Sequence, residues 1–336
     1  MTSWGLLGTG AYAPEHIADN TAVAAPLGAD PQWILDATGI RERRRAAPDQ
    51  AASDLAAHAA RAALYNAGRT VDDLGLIVVG TSTPDELGPS TACRVQAHLG
   101  AGRAVAFDVG AACAGYLFGL GLARDWLAAH PGSGDALVIG VEVYSRFLDP
   151  ADRSTAVLFG DGAGASVLGA VPEGGLASVR LGSDGTRADT VLIPAGGSRL
   201  PAGPGTLAEG AHHIRMDAPA IRRALPELFD RMLAEILAEH RITLDDIDLV
   251  VPHQPNPRTL RIFAEHAAIP FAKFAVIGER LGNIGAASIP TALAAADAEG
   301  RLQPGDRVLL IAIGAGLTWG ATLIHWTAAN PRKARA

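Results

Sequence analysis

FDVGAACAGYLFGLGLARDWL, residues 107–127, sets a lone cysteine among alanines and glycines. AVAFDVG before it reads as a short apolar strand, and GYLFGLGLARDWLAAH after it carries Leu117, Leu120 and Leu127 at roughly helical spacing. Cys113 therefore falls at a strand-to-helix turn, where free backbone N–H groups and the helix dipole favour an anion. A thiolate there is expected to have a lowered pKa and to be a good nucleophile. A lone cysteine can also fill a gap in a core. The small flanking residues argue otherwise, because they leave room for something to approach the sulfur. His253 in VVPHQPNPR and Asn283 in GNIGAASIPTAL are conspicuous polar residues of the second half. A cysteine at one turn, with His and Asn at strand ends of the other half, is a constellation for thioester chemistry.

Such groups need elements to hold them, and the chain supplies two similar sets. AARAALYNAGRTVDDLGLIVVGTS (residues 59–82) has a partner in LAEILAEHRITLDDIDLVVPHQ (residues 233–254), each an amphipathic helix, a Thr-x-Asp-Asp turn and a β-rich run. Thr70 and Thr243 are offset by 173 (243 − 70), and GDALVIGVEV and GDRVLLIAIG by 171 (305 − 134). Two independent matches at nearly one offset predict duplicated α/β halves, residues 1–171 and 172–336. At offset 173 the equivalent of Gly110 is Asn283, so the two small-residue turns are expected to face each other across a pseudo-twofold axis.

The 336 residues are 49% hydrophobic and 19% charged, with 39 Gly and 21 Pro, enough for a large core. The net charge of −7 with scattered Lys and Arg leaves no basic footprint for nucleic acid. MTSWGLLGTGAYAPE lacks the pattern of a signal peptide, and VLLIAIGAGLTWGATLI reads as two buried strands joined by a glycine turn rather than a membrane span. Only Cys93 and Cys113 occur, which with the rest predicts a soluble, reduced, cytoplasmic protein without a disulfide framework.

GTGAYAPE, TGIRERR, FDVGAACAG, DRSTAVLFGDGAGASVL, PHQPNPR, GNIGAASIP and GAGLTWG resemble, in order and over nearly the whole chain, the β-ketoacyl-acyl carrier protein synthase III family of the thiolase-like superfamily. The resemblance implies two thiolase-like halves, each with a mixed five-stranded sheet, in a five-layer α-β-α-β-α sandwich, and a homodimer. It implies that Cys113 takes an acyl group from a thioester donor, either acyl-CoA or acyl-carrier protein. The backbone N–H groups of Cys113 and Ala315 would form the oxyanion hole. His253 and Asn283 would donate to the thioester oxygen of malonyl-acyl carrier protein as it loses carbon dioxide. The product would be a 3-oxoacyl thioester, with no metal or redox cofactor.

Recognition residues match the family only in part. Trp33 and Arg153 match the pair expected to sandwich a coenzyme A adenine. A basic residue usual four positions after the tryptophan is Ala37, and a pantetheine-contacting asparagine is Pro219. Arg258 matches an arginine implicated in docking acyl carrier protein. Gly88 stands where a Phe often reaches the partner's acyl pocket, and Ile313 and Leu317 replace aromatics around the glycine turn. Lost rings open volume, so the expectation is a non-acetyl primer for a specialised polyketide or fatty-acid pathway.

Competing readings remain. GTGAYA fits the dinucleotide fingerprint G-x-G-x-x-A, but Pro14 interrupts the helix it must open, and it is read as a strand-end turn. GDGAGA is placed in a glycine-rich hairpin, with Asp161 structural. Adjacent His212 and His213 are expected to diverge and so not to form a metal pair. His240 and His266 are expected on solvated faces. A Cys-His pair also suits a hydrolase, or a transferase passing acyl groups to an alcohol or amine without decarboxylation. A non-catalytic binding module of the same fold is a third reading; it is expected to lose Cys, His or Asn, and all three are retained.

Overall fold

The structure, a computed structural model, describes residues 2–327. The last nine residues assigned to the second half, 328–336, lie outside the described residues. One sheet runs in the order Ser3–Tyr12, Asp161–Val171, Asp135–Val143, Leu74–Gly80, Val105–Val109. The first two pairings are antiparallel and the last two parallel. The other sheet repeats this plan. Leu249–Pro252 pairs parallel with Arg307–Gly314, and Thr318–His325 follows antiparallel. Its outer neighbour is split into Gly175–Leu176 and Arg180–Ser183. The counterpart of Val105–Val109 shrinks to a single parallel bridge, Val250 to Phe274.

Three helical layers separate and cover the sheets. Leu76 and Val78 turn inward while Ile77 and Val79 turn outward, the period-two alternation of a strand buried on both faces. Inward residues meet Leu117, Leu120 and Leu127 of the helix Gly115–Ala129 and Ile289 and Leu293 of Ser288–Ala298. Val251 and Leu310 of the second sheet close on the same pair of helices. Ala52–Ala67 covers the outside of the first sheet, and Ala218–His240 with Pro257–His266 the outside of the second. This is the five-layer α-β-α-β-α order.

Local detail repeats as well. Thr70 and Thr243 each open a 3₁₀ turn, and Asp73 and Asp246 return a carboxylate to the Thr backbone N–H at 2.7 and 2.9 Å. VLLIAIGAGLTWGATLI forms the two expected strands, Arg307–Gly314 and Thr318–His325.

Two glycine motifs depart from expectation. GTGAYA is not a strand-end turn; all but Ala13 lies within the strand Ser3–Tyr12. A Cβ on Gly8 or Gly10 would come within 2.3 Å of backbone N of Ala67 or Ala63, so these glycines let Ala52–Ala67 settle on the sheet. GDGAGA is not a hairpin either. All but Gly160 belongs to the strand Asp161–Val171, and a Cβ on Gly164 would meet Thr291 N at 2.5 Å in the central helix layer. Asp161 is structural as expected, accepting from Ala46 N, Ser145 N and Ser145 Oγ.

Candidate active site

Cys113 sits in the 3₁₀ turn Ala112–Ala114, between the strand Val105–Val109 and the helix Gly115–Ala129. Its counterpart is Gly285–Ala287, ahead of Ser288–Ala298. Ala112 and Gly285, 173 positions apart (285 − 112), adopt φ of +45° and +48°, and the two turns pack against each other. Thr318 Oγ1 donates to Ala111 O at 2.8 Å and to Ala315 O at 3.1 Å, tying the Gly314–Leu317 turn to the Cys113 turn. A Cβ on Gly314 would lie 2.8 Å from Cys113 N, so only glycine lets that strand end come so near.

His253 follows the strand Leu249–Pro252 and donates its backbone N–H to Ile311 O at 2.8 Å. Its Nδ1 lies 3.2 Å from Ser288 Oγ. Burial pulls the imidazole down to about 4, opposed in part by a hydrogen bond to the Gly285 backbone, so the ring is neutral near pH 7. Asn283 is clamped by its backbone: its N–H reaches Leu158 O at 2.8 Å and its carbonyl accepts from Gly160 N at 3.0 Å. Its side-chain Oδ1 accepts from Gly285 N at 2.9 Å, which leaves the amide N–H₂ as the group free to donate. The rest of PHQPN is structural. Gln254 bonds Pro252 O and Ala275 O, and Asn256 caps Pro257–His266.

The thiol departs from expectation. Burial pushes Cys113 up to about 12, and the Glu142 charge adds to the rise. Desolvation here outweighs the helix end, and a hydrogen bond from Tyr144 offsets it only in part. Glu142 and Tyr144 were missed in the sequence. The available signal was a lone carboxylate in the apolar run ALVIGVEV.

Cys113, His253, Asn283 and Ala315 line one cavity of about 870 Å³. Among the described residues, no group of three or more His, Cys, Asp and Glu is placed to hold a metal ion. His212 and His213 do not diverge: they lie in a turn with ring centroids 4.0 Å apart. His266 is exposed beside Asp230, as expected, whereas His240 is half-buried with an unpartnered Nε2. No helix among the described residues is long and apolar enough to cross a membrane.

Residues 107–185 match the family 3-oxoacyl-(acyl-carrier-protein) synthase III, and residues 237–326 match that family's C-terminal region. Beta-ketoacyl-(acyl-carrier-protein) synthase III of Symbiobacterium thermophilum is 44% identical, covering 96% of this chain and 98% of that protein. The chain belongs to the β-ketoacyl-acyl carrier protein synthase III family. Acetoacetyl CoA synthase NphT7 of Streptomyces sp. strain CL190 is 46% identical, again over 96% and 98%. The crystal structure of synthase III from Pseudomonas aeruginosa PAO1 superposes with a TM-score of 0.88 at 37% identity, covering 97% of this chain and 98% of that one. The fold is therefore thiolase-like, and the protein is an acyltransferase of the synthase III type.

In this synthase III most of the recognition candidates line the same cavity. Trp33, on the helix Pro31–Thr38, and Arg153 both line the cavity. Their guanidinium-to-ring distance of 5.6 Å is shorter than two stacking gaps of about 7 Å, so a purine sandwiched there would have to part them. Ala37 lines the cavity, whereas Pro219 does not and its neighbours Ala218 and Ile221 do. Arg258 lines it too, with Nη1 donating to Asp36 O at 2.9 Å. Arg222, missed in the sequence, adds a third guanidinium. Ile313 and Leu317 are buried in the wall. Gly88 stands apart on an exposed loop, outside the cavity of its own chain.

Proposed function

We propose that this synthase III joins a Cys113-bound acyl primer to malonyl-acyl carrier protein by decarboxylative Claisen condensation. The observation that carries the reading is the pinning of Asn283 Oδ1 by Gly285 N, with neutral His253 in the same cavity as the thiol. The Cys113 sulfur bonds the donor's acyl carbon, and the donor's thiol leaves. The N–H groups of Cys113 and Ala315 stabilise the oxyanion of that step. The malonyl thioester then loses carbon dioxide, and the electron pair of the broken C–C bond becomes an enolate. Its oxygen accepts from Asn283 Nδ2 and from His253 Nε2, which holds the ring proton when the Ser288 hydroxyl donates to Nδ1. The enolate carbon attacks the acyl-Cys113 thioester, and the 3-oxoacyl thioester departs.

Arg153, Arg222 and Arg258 give the mouth the charge that a phosphate-bearing donor or carrier needs. Retention of the Asn and His donors favours condensation over plain acyl transfer to an alcohol or amine. Ile313, Leu317 and Gly88 in place of aromatics support a primer larger than acetyl, supplied to a specialised fatty-acid or polyketide route. The likeness to acetoacetyl CoA synthase NphT7 favours a second reading, with acetoacetyl-CoA as the product. The chain is further read as two halves divided at residues 171 and 172, and as a cytoplasmic homodimer. Mass spectrometry with acetyl, branched and aromatic acyl-CoA donors, against malonyl-acyl carrier protein or malonyl-CoA, separates these readings. A 3-oxoacyl product with the bulkier primers on the carrier protein supports the proposal. Acyl loading without any decarboxylated product overturns it.

A further inference from the structure

A thiol held near 12 must lose its proton as it attacks, and the helix end alone does not remove that proton. Behind Cys113 the structure holds a buried carboxylate. Glu142 is fully buried at the end of the strand Asp135–Val143. Its carboxylate accepts from Ser82 N at 3.1 Å, from Thr83 Oγ1 at 2.8 Å and from Ala286 N at 3.5 Å. These bonds fix the carboxylate between the end of the strand Leu74–Gly80 and the Gly285–Ala287 turn. No cation faces it within that set, so burial keeps its proton affinity high and raises it to about 7.

Tyr144, two residues on, lines the cavity and joins the two groups. It shares that cavity with Cys113, and its hydroxyl interacts with both the Glu142 carboxylate and the Cys113 sulfur. A Cβ placed on Gly285 would lie 2.6 Å from Tyr144 Oη and 2.9 Å from Glu142 Cγ, so both side chains crowd that glycine. The titratable groups facing Glu142 are Cys113 from the nucleophile turn and Tyr144 from its own strand end. Ser82, Thr83 and Ala286 are neutral, and His253 stands beyond Gly285.

We propose that Glu142, acting through Tyr144 Oη, takes the thiol proton of Cys113 during acylation and returns it to the departing thiol of the donor. Tyr144 passes its own proton to Glu142 and receives that of Cys113 as the sulfur bonds the acyl carbon. When the donor's carbon–sulfur bond breaks, the proton travels back by the same hydroxyl to the leaving sulfur. Thiol and thioester exchange partners, with no net gain or loss of protons. A carboxyl titrating near neutral pH suits both directions of such a relay. Tyr144 exchanges its proton with the reacting sulfur and is a catalytic residue in this scheme; Glu142 works through it. The proposal rests on the reading that Cys113 is the acylated residue.

The test is single-turnover acylation by acetyl-CoA and by a branched acyl-CoA, quenched and read by intact mass, from pH 5.5 to 9. Wild-type acylation is expected to rise through pH about 7 and then level, as Glu142 becomes able to accept. Glu142→Gln is expected to lose that limb and to slow acylation on the order of 10²-fold at pH 7.5. Glu142→Asp should restore part of the rate together with the limb. Tyr144→Phe keeps the ring packed against Phe159, 4.8 Å between centroids, and removes only the hydroxyl. It is expected to be slow at an unchanged melting temperature, which keeps the test decisive should Glu142→Gln fold poorly. Wild-type rates in Tyr144→Phe, or faster acylation in Glu142→Gln as expected of a mere repelling charge, overturn the relay alone. A wild-type protein that takes no acyl mass at Cys113 overturns both the relay and the reading beneath it.

Discussion

Cys93 lies exposed on the helix Thr91–Leu99, its sulfur accepting from Ser90 Oγ at 3.2 Å, whereas Cys113 is half-buried in the wall of the cavity. Exposure favours Cys93 in any unspecific reaction, so acyl mass on Cys113 reports the site itself. Peptide mapping after incubation with an acyl thioester is expected to place the added mass on Cys113 and none on Cys93. Cys113→Ser is expected to lose condensation on the order of 10³-fold or more, because a hydroxyl is a far weaker nucleophile. Protonation makes a second prediction. His253 is depressed to about 4, so the unfolded chain binds more protons between pH 4 and 6.5, and stability rises with pH there. Glu142 is raised to about 7, so the folded chain binds more protons between pH 4.5 and 7, and its contribution falls as pH rises. Removing it in Glu142→Gln is expected to make the melting temperature, relative to wild type, climb from pH 4.5 to 7. A constant difference across that window contradicts the assignment.

The paired turns carry the argument at the scale of elements. Gly285 sits at φ +48°, and its N–H holds Asn283 Oδ1. Gly285→Ala adds strain at that backbone and a clash with Tyr144, at a cost of about 1–3 kcal/mol. A lower melting temperature and slower release of carbon dioxide from malonyl thioester are expected together. Much of this level was legible in the sequence: the Thr-x-Asp-Asp repeats, the strand before Cys113 and the final pair of strands follow from periodicity and turn chemistry alone. What misled were glycines. In GTGAYA and GDGAGA they serve helices lying on a strand, and glycine looks the same in sequence whether a turn or a neighbouring backbone requires it. The relay escaped for a related reason: Glu142 and Tyr144 gain meaning only when the fold brings Ser82 and Ala286 to them. Likewise the helix end above Cys113 suggested a thiolate, while the depth of burial that opposes it is a property of the assembled layers.

Gly88 belongs to the scale of the whole molecule, since its proposed role lies in a partner subunit. A Cβ there meets nothing within 4 Å, and its φ lies outside the left-handed range, so the backbone does not demand glycine. Gly88→Phe is therefore expected to fold normally and to shift kcat/KM away from branched and aromatic primers while sparing acetyl. A uniform fall across all primers with a lower melting temperature contradicts the pocket role.

The central claim is a division of labour between Cys113 and the His253–Asn283 pair, and it is tested by measuring the two half-reactions separately in His253→Ala and Asn283→Ala. Intact mass follows acyl loading, and labelled carbon dioxide follows the loss from malonyl-acyl carrier protein. Both variants are expected to load the acyl group at near wild-type rates and to release carbon dioxide ~10²–10³-fold more slowly. Variants that release carbon dioxide normally but fail to load would contradict the account.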